Sequence, residues 1–155
     1  MEYFSTDDNY IYTIAQFFPR MAVYNDVEGW QNNQFLGKTE FALPFGDYEV
    51  EITVPADHVV GATGVLVNAD EVLSREGMKR YQKAHESFRE PVIIVTEEEA
   101  LAAEKKKSDQ KKTWKFQAEN VRDFAFASSR KFIWDGMAVN FGGRTVLATS
   151  LYSKE

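Results

Sequence analysis

The sequence predicts a mainly β fold: an antiparallel β-sandwich or saddle-shaped curved sheet with a short helical insertion near residues 70–105. Three observations carry that expectation. Apolar and polar residues alternate with a period of two in both halves of the chain. Gly-bearing turns separate the alternating runs. Helical spacing of apolar residues is confined to the middle.

Tyr48, Val50, Ile52 and Val54 fall on one face of a strand, and Asp47, Glu49, Glu51 and Thr53 on the other. That pattern is a half-buried antiparallel strand, stopped by Pro55. Phe41, Leu43 and Phe45 alternate just before it, and Phe45-Gly46-Asp47 supplies a reversal, so the pair reads as a hairpin. Val59 to Val67 reads as one further strand, with Gly61 and Gly64 marking a bulge or a close approach.

Trp114, Phe116 and Ala118 alternate with Lys115, Gln117 and Glu119. Phe124 and Phe126 follow, then Phe132 and Trp134 against Lys131, Ile133 and Asp135. After the turn Asn140-Phe141-Gly142-Gly143, Arg144 to Tyr152 makes the last strand.

Between Asp70 and Phe88, the residues Met78, Tyr81, His85 and Phe88 form one stripe of a helix that Pro91 ends. Val92 to Val95 is then a short buried strand. Thr96 and Glu99 form a capping-box signature that opens a second helix through Ala103. Glu104 to Lys112 reads as a charged loop. With 155 residues, no internal repeat and no low-complexity linker, residues 1–155 form a single β-rich domain.

Composition narrows the function. Apolar residues are 44%, enough for a core, and the net charge is −6. That sign argues against nucleic-acid and anionic-membrane partners, which need clustered positive charge. The chain has no cysteine, which excludes disulfides, Cys-ligated zinc and thiol catalysis, and only two histidines, which excludes a three-His metal site. No apolar run approaches the ~18–20 residues of a membrane span. The start has no signal-peptide pattern, and the compartment stays open between cytoplasm and periplasm.

Candidate chemistry is sparse. His85-Glu86-Ser87-Phe88-Arg89 approaches a zinc-binding helix, but the second histidine such a helix needs is replaced by Arg89. His85 therefore reads as a helix residue partly covering the core. His58 could pair with Asp57 as an acid–base couple, against the simpler reading of a turn histidine at a strand junction. Asp47, Glu49 and Glu51 could offer oxygen to calcium, but strand spacing of about 7 Å is too wide for one ion. A solvated face, or one paired with Lys and Arg of a neighbouring strand, is the simpler reading.

Lys105, Lys106, Lys107, Lys111 and Lys112 could attract phosphate and read more simply as a solvated loop. Trp114 and Trp134 sit in alternating strands and read as core, whereas Trp30 lies in a polar segment and is a candidate for exposure. Gly142-Gly143 has no strand-to-helix context and is no phosphate loop. On these residues alone the chain is a binding or structural β-domain.

Ile14-Ala15-Gln16-Phe17-Phe18-Pro19-Arg20-Met21-Ala22-Val23-Tyr24 resembles a segment of aminopeptidase N-type zinc metallopeptidases, the gluzincins, and is most similar to a bacterial branch. Further segments agree in order: Gly29-Trp30, Phe35-Leu36-Gly37 with Glu40-Phe41, Phe45 to Pro55, and Val60 to Gly64. Glu119 to Ser129 and Lys131-Phe132 complete the set. The resemblance covers nearly the whole chain from Tyr10 onward.

It implies the later part of that family's N-terminal β-domain, ending at Tyr152-Ser153-Lys154-Glu155 near the junction with the catalytic domain. The family's zinc helix, glutamate ligand and glycine-rich substrate-binding strand have no counterpart here. The implied role is non-catalytic, with no cofactor in this chain and zinc expected in the catalytic domain of the parent. Its partners would be that domain and, in the parent, the peptide substrate. Some members anchor the substrate's α-amino group with an acidic or amide residue nine positions before the proline matched by Pro19; here Tyr10 stands there, and Gln16 is a weak substitute. No site residue is carried over. Strands expected before Tyr10 are absent, so exposed sheet edges could self-associate. The alternative is a free-standing β-sandwich module binding carbohydrate or protein through Trp30 and Tyr24. A third reading, an enzyme using a carboxylate pair without metal, needs two acids converging in a pocket.

Overall fold

A computed structural model describes residues 2–6, 9–34 and 42–154, with residues 2–6 described in backbone only. The fold is mainly β and antiparallel, as the alternation predicts, with four open sheets among the described residues and a helical excursion near the middle. The first sheet has the order β1 (Glu2–Thr6), β2 (Asn9–Ile14), β10 (Phe126–Ser129), β6 (Val59–Ala62). A second has the order β5 (Gly46–Pro55), β9 (Lys111–Val121), β7 (Val65–Leu66). The third is β12 (Arg144–Tyr152), β11 (Ile133–Phe141), β8 (Val92–Val95). A two-stranded ribbon, β3 (Val23–Asn25) with β4 (Gly29–Gln31), completes the set.

The helices are α1 (Ala69–Val72), α2 (Arg75–Glu86) and α3 (Glu97–Lys105). The capping box at Thr96 forms as the sequence predicts: Thr96 Oγ1 accepts from Glu99 N at 3.2 Å, and Glu99 Oε2 accepts from Thr96 N at 2.8 Å. Two donors left open by helix geometry are thereby satisfied.

The core lies where the sheets meet α2. Ile52, Trp114, Phe116 and Phe124 pack with Val60 and with Tyr81, Ala84, Ile94 and Trp134. Pairing of β5 with β9 sets Ile52 against Trp114 and Val50 against Phe116, so two alternating strands present one apolar face.

Several local expectations are corrected. Residues 42–45 form no strand, and Gly46–Pro55 pairs with β9 instead of with a preceding hairpin arm. Pro44 lacks the N–H that a ladder there would need; Phe41 lies outside the described residues. The run from Val59 to Val67 is two strands in two sheets. It breaks at Gly64, whose φ of +91° and close approach to Gln117 leave no room for a side chain. The helical stripe ends at Glu86, Ala84 holds the fully buried position, and Phe88 is exposed beyond the helix. Leu73 and Ser74 divide α1 from α2, because Ser74 leaves helical geometry to cap Gly77 N. Only Ile94 of the Val92–Val95 strand is fully buried. The lysine-rich loop is shorter than predicted, since α3 runs through Lys105 and β9 begins at Lys111. Lys131, placed on an outer face by alternation, is buried, because a turn rather than a strand carries it.

Candidate functional site

A long-range polar cluster gathers at the Asp57-His58 turn between β5 and β6. His58 is buried, and its Nδ1 lies 2.9 Å from Ser128 Oγ on β10. The Tyr12 ring of β2 stacks beside the imidazole at 6.1 Å. Asp57 turns the other way. Its carboxylate accepts from Ser108 N at 2.7 Å and from Arg130 Nε at 3.2 Å. Arg130 also reaches Asn9 Oδ1 at 3.5 Å, and Asn9 Nδ2 donates to Glu104 Oε2 at 3.2 Å. The adjacent Ser129 Oγ donates to Tyr10 O at 2.9 Å and accepts from Lys131 N at 3.0 Å.

This cluster ties β2, α3, the loop before β9 and the turn after β10 to one corner. Its electrostatics oppose acid–base chemistry. Burial, reinforced by the Arg130 charge, lowers the His58 pKa to about 4 against the opposing pull of Asp57, so the ring is neutral near pH 7. Burial would raise Asp57, but the Ser108 N–H and the Arg130 guanidinium outweigh it and hold the carboxyl below its usual range. The couple predicted as one alternative from the sequence is not formed: Asp57 serves Arg130 and Ser108, and His58 serves Ser128. The Ser128 hydroxyl is itself buried, which denies a substrate the approach a nucleophile requires. A recess of about 210 Å³ borders Asp57, His58 and Arg130; of its other charged walls, Arg80 and Glu99 are bonded to each other at 2.6 Å, and Lys112 is bonded to Val72 O.

The remaining sequence candidates stay apart. His85 is exposed on α2, with its ring edge-on to the core residue Tyr81 at 4.7 Å. Among the described residues, no three of His, Cys, Asp and Glu group as metal ligands would. Asp47, Glu49 and Glu51 line the outer face of β5; Asp47 Oδ1 accepts from Asn120 N at 2.8 Å, and Lys115 Nζ stands 3.9 Å from Glu51. That is the solvated, cross-strand-paired face that the sequence favoured. Lys112 Nζ donates to Val72 O at 2.9 Å, which takes it out of any lysine patch. Gly142 and Gly143, at φ +57° and +80°, make the two-residue hairpin turn between β11 and β12.

Trp114 and Trp134 are core residues, as alternation predicts. Trp30 is 58% exposed and meets Tyr24, 63% exposed, across the β3–β4 ribbon with ring centroids 5.2 Å apart. Gln16 is exposed at φ +52°, beside a recess of about 330 Å³ that Phe18, Met21 and Leu43 help to line. Sequence reading missed the bond between His58 and Ser128 and the pairing of Arg130 with Asp57. Each partner is some seventy residues away, and no local pattern marks it.

No family model, no curated protein and no solved structure matches the chain.

Proposed function

We propose that this chain is the later part of the N-terminal β-domain of an aminopeptidase N-type zinc metallopeptidase. In that reading it catalyses nothing itself, supports the catalytic domain of the same parent chain and walls one side of the peptide-binding cleft. Zinc belongs to that other domain.

The observation that carries the reading is where the resembling segments fall. Ile14 lies at the end of β2, Phe45 to Pro55 covers β5, Val60 to Gly64 lies on and after β6, and Glu119 to Ser129 covers the end of β9 and β10. These strands pair with one another, β2 with β10, β10 with β6, and β5 with β9. The resembling segments thus supply strands of two sheets and of the β3–β4 ribbon, with Phe35-Leu36-Gly37 and Glu40-Phe41 outside the described residues, while the helical excursion between Ala69 and Lys105 belongs to none of these segments. Of the two positions weighed as substrate anchor, Tyr10 lies within β2, half-buried, and Gln16 is exposed past its end. Gln16 is the better disposed of the two to meet a ligand.

The test is metal analysis and hydrolysis of an aminoacyl-fluorophore panel, run on this chain and on the longer protein that carries it. The expected result is no zinc and no turnover from the chain, and zinc with chelator-sensitive turnover from the longer protein. Stoichiometric zinc and chelator-sensitive turnover in the chain alone would overturn the reading.

A second reading, a free-standing module binding carbohydrate or protein, draws on the exposed Tyr24–Trp30 pair. Aromatic faces presented to solvent are a common means of stacking on a sugar or an apolar side chain. A saccharide or peptide that quenches Trp30 fluorescence, with the effect lost in Trp30→Ala, would favour it.

A further inference from the structure

β12 is an edge strand, paired on one side only among the described residues. Its two-residue turn makes Phe141 and Arg144 a hydrogen-bonded closing pair, and bonding alternates from there along the register. Val146, Ala148, Ser150 and Tyr152 therefore bond β11, while Thr145, Leu147, Thr149 and Leu151 turn their N–H and C=O groups away from it. The other side of β11 agrees: Ala138, opposite Leu147, donates its N–H to Ser87 O at 2.8 Å. Among the described residues, no strand pairs with the outer side of β12.

Long open edges invite pairing, and proteins blunt them with charge, proline or brevity. The other edges with described side chains are blunted. β5 carries Asp47, Glu49 and Glu51; β6 and β8 are four residues long, with Pro91 just before β8; β7 is two residues long. β12 is nine residues long, and from Thr145 to Ser153 it has no Asp, Glu, Lys, Arg or Pro. Val146 is 45% exposed and Tyr152 41%.

We infer that β12 is a self-pairing edge that joins a second copy of this chain, antiparallel, about a two-fold axis at Ala148. Full overlap of the strand with itself sets Ala148 against Ala148 and bonds Leu147 to Thr149 and Thr145 to Leu151, so every outward-facing group of the strand finds a partner. The run is neutral in a chain of net charge −6, so the like-charge repulsion that opposes contact elsewhere is absent along the seam. At each end, Arg144 of one copy comes opposite Tyr152 of the other, whose hydroxyl is hydrogen-bonded to Asp135. That places a cation against an acceptor cluster. An extended peptide from another protein could use the same backbone groups, but only a second copy obeys the two-fold.

The test is sedimentation velocity over a range of concentrations, with three variants of the full chain. The native chain should dimerise. Ala148→Lys would bring two ammonium groups face to face at the axis, and Thr149→Pro would remove an outward N–H that β11 does not use. Each should weaken the dimer at least about ten-fold, with the circular dichroism of the monomer unchanged. Because the chain lacks cysteine, Ala148→Cys supplies a positive readout. Ala148 would form a non-hydrogen-bonded pair with its own copy, close enough for oxidation to link two chains. Val146→Cys, which would face Ser150, should not link. A monomer at every concentration would overturn the inference. So would a dimer indifferent to Ala148→Lys and Thr149→Pro, or equal linking by both cysteine variants.

Discussion

His58 Nδ1 and Ser128 Oγ, seventy residues apart in sequence, lie 2.9 Å from each other inside the sheet corner where β6 pairs with β10. The contact satisfies two polar groups that burial has taken from water. It also requires the imidazole to stay neutral, because a protonated ring there would face the Arg130 charge without solvent. The corner therefore carries a pH dependence of known sign.

The folded pKa of His58, about 4, lies below the roughly 6.5 of an unfolded chain. Between those values the unfolded state binds a proton that the folded state refuses. Stability is thus fully present above about pH 6.5 and falls as pH drops toward 4, at most by about 1.4 kcal/mol per pH unit. Asp57 acts lower. Its depressed pKa contributes stability that is lost only as pH falls below the ordinary carboxylate range. Urea unfolding between pH 4 and 8 should show the His58 slope, and His58→Phe should flatten it. An unchanged slope in that variant would remove His58 as its source.

The Asp57–Arg130 pair has side chains 8% and 11% exposed, so its single and double variants should behave unequally. Asp57→Asn or Arg130→Met strands a buried charge and should cost about 3–5 kcal/mol. The double variant removes both charges and should lose clearly less than the sum of the two. Additive losses in chemical denaturation would show that the two side chains act independently.

Two glycines separate a tolerant site from an intolerant one. A Cβ on Gly61 would meet Leu151 Cδ1 at 2.7 Å, the end of a side chain that can move. A Cβ on Gly64 would meet the Gln117 carbonyl oxygen at 2.3 Å, in a backbone conformation of φ +91°. Gly61→Ala should therefore be partly rescued by Leu151→Val. Gly64→Ala should unfold at a markedly lower temperature, with no rescue from Gln117 variants, since the obstacle is main chain. Equal melting temperatures for the two alanine variants would contradict this account.

These sites also mark how far the sequence could be read. The β5 and β12 strands and the α3 capping box follow from local rules, because alternation, a Gly-Gly turn and a Thr-x-x-Glu spacing each act within a few residues. The split at Gly64 was half legible: the glycine signalled a close approach, but not that the chain there passes from one sheet to another. Pairing partners were the harder matter. Gly46–Pro55 takes β9 rather than a neighbouring arm because its apolar face fits Trp114 and Phe116, and that preference is written sixty residues away. The polar corner at His58 was invisible for the same reason. Its members are ordinary surface types singly, and only the fold brings Asn9, Asp57, Arg130 and Glu104 together.

The exposed Tyr24–Trp30 pair is where stability and function should separate. The ribbon is only three residues a side, and both rings face solvent, so neither contributes to the main core. Their edge-to-face contact is worth about 0.5–1.5 kcal/mol beyond burial. Trp30→Ala should therefore lower overall stability by no more than about that amount, whereas Trp114→Ala, which empties a site 1% exposed, should cost about 3–5 kcal/mol. Thermal and urea unfolding would measure the contrast. A Trp30→Ala loss as large as that of Trp114→Ala would mean that the ribbon packs on the domain and is no free surface. A small loss would leave the pair available for the ligand titration that separates a binding module from a supporting wall.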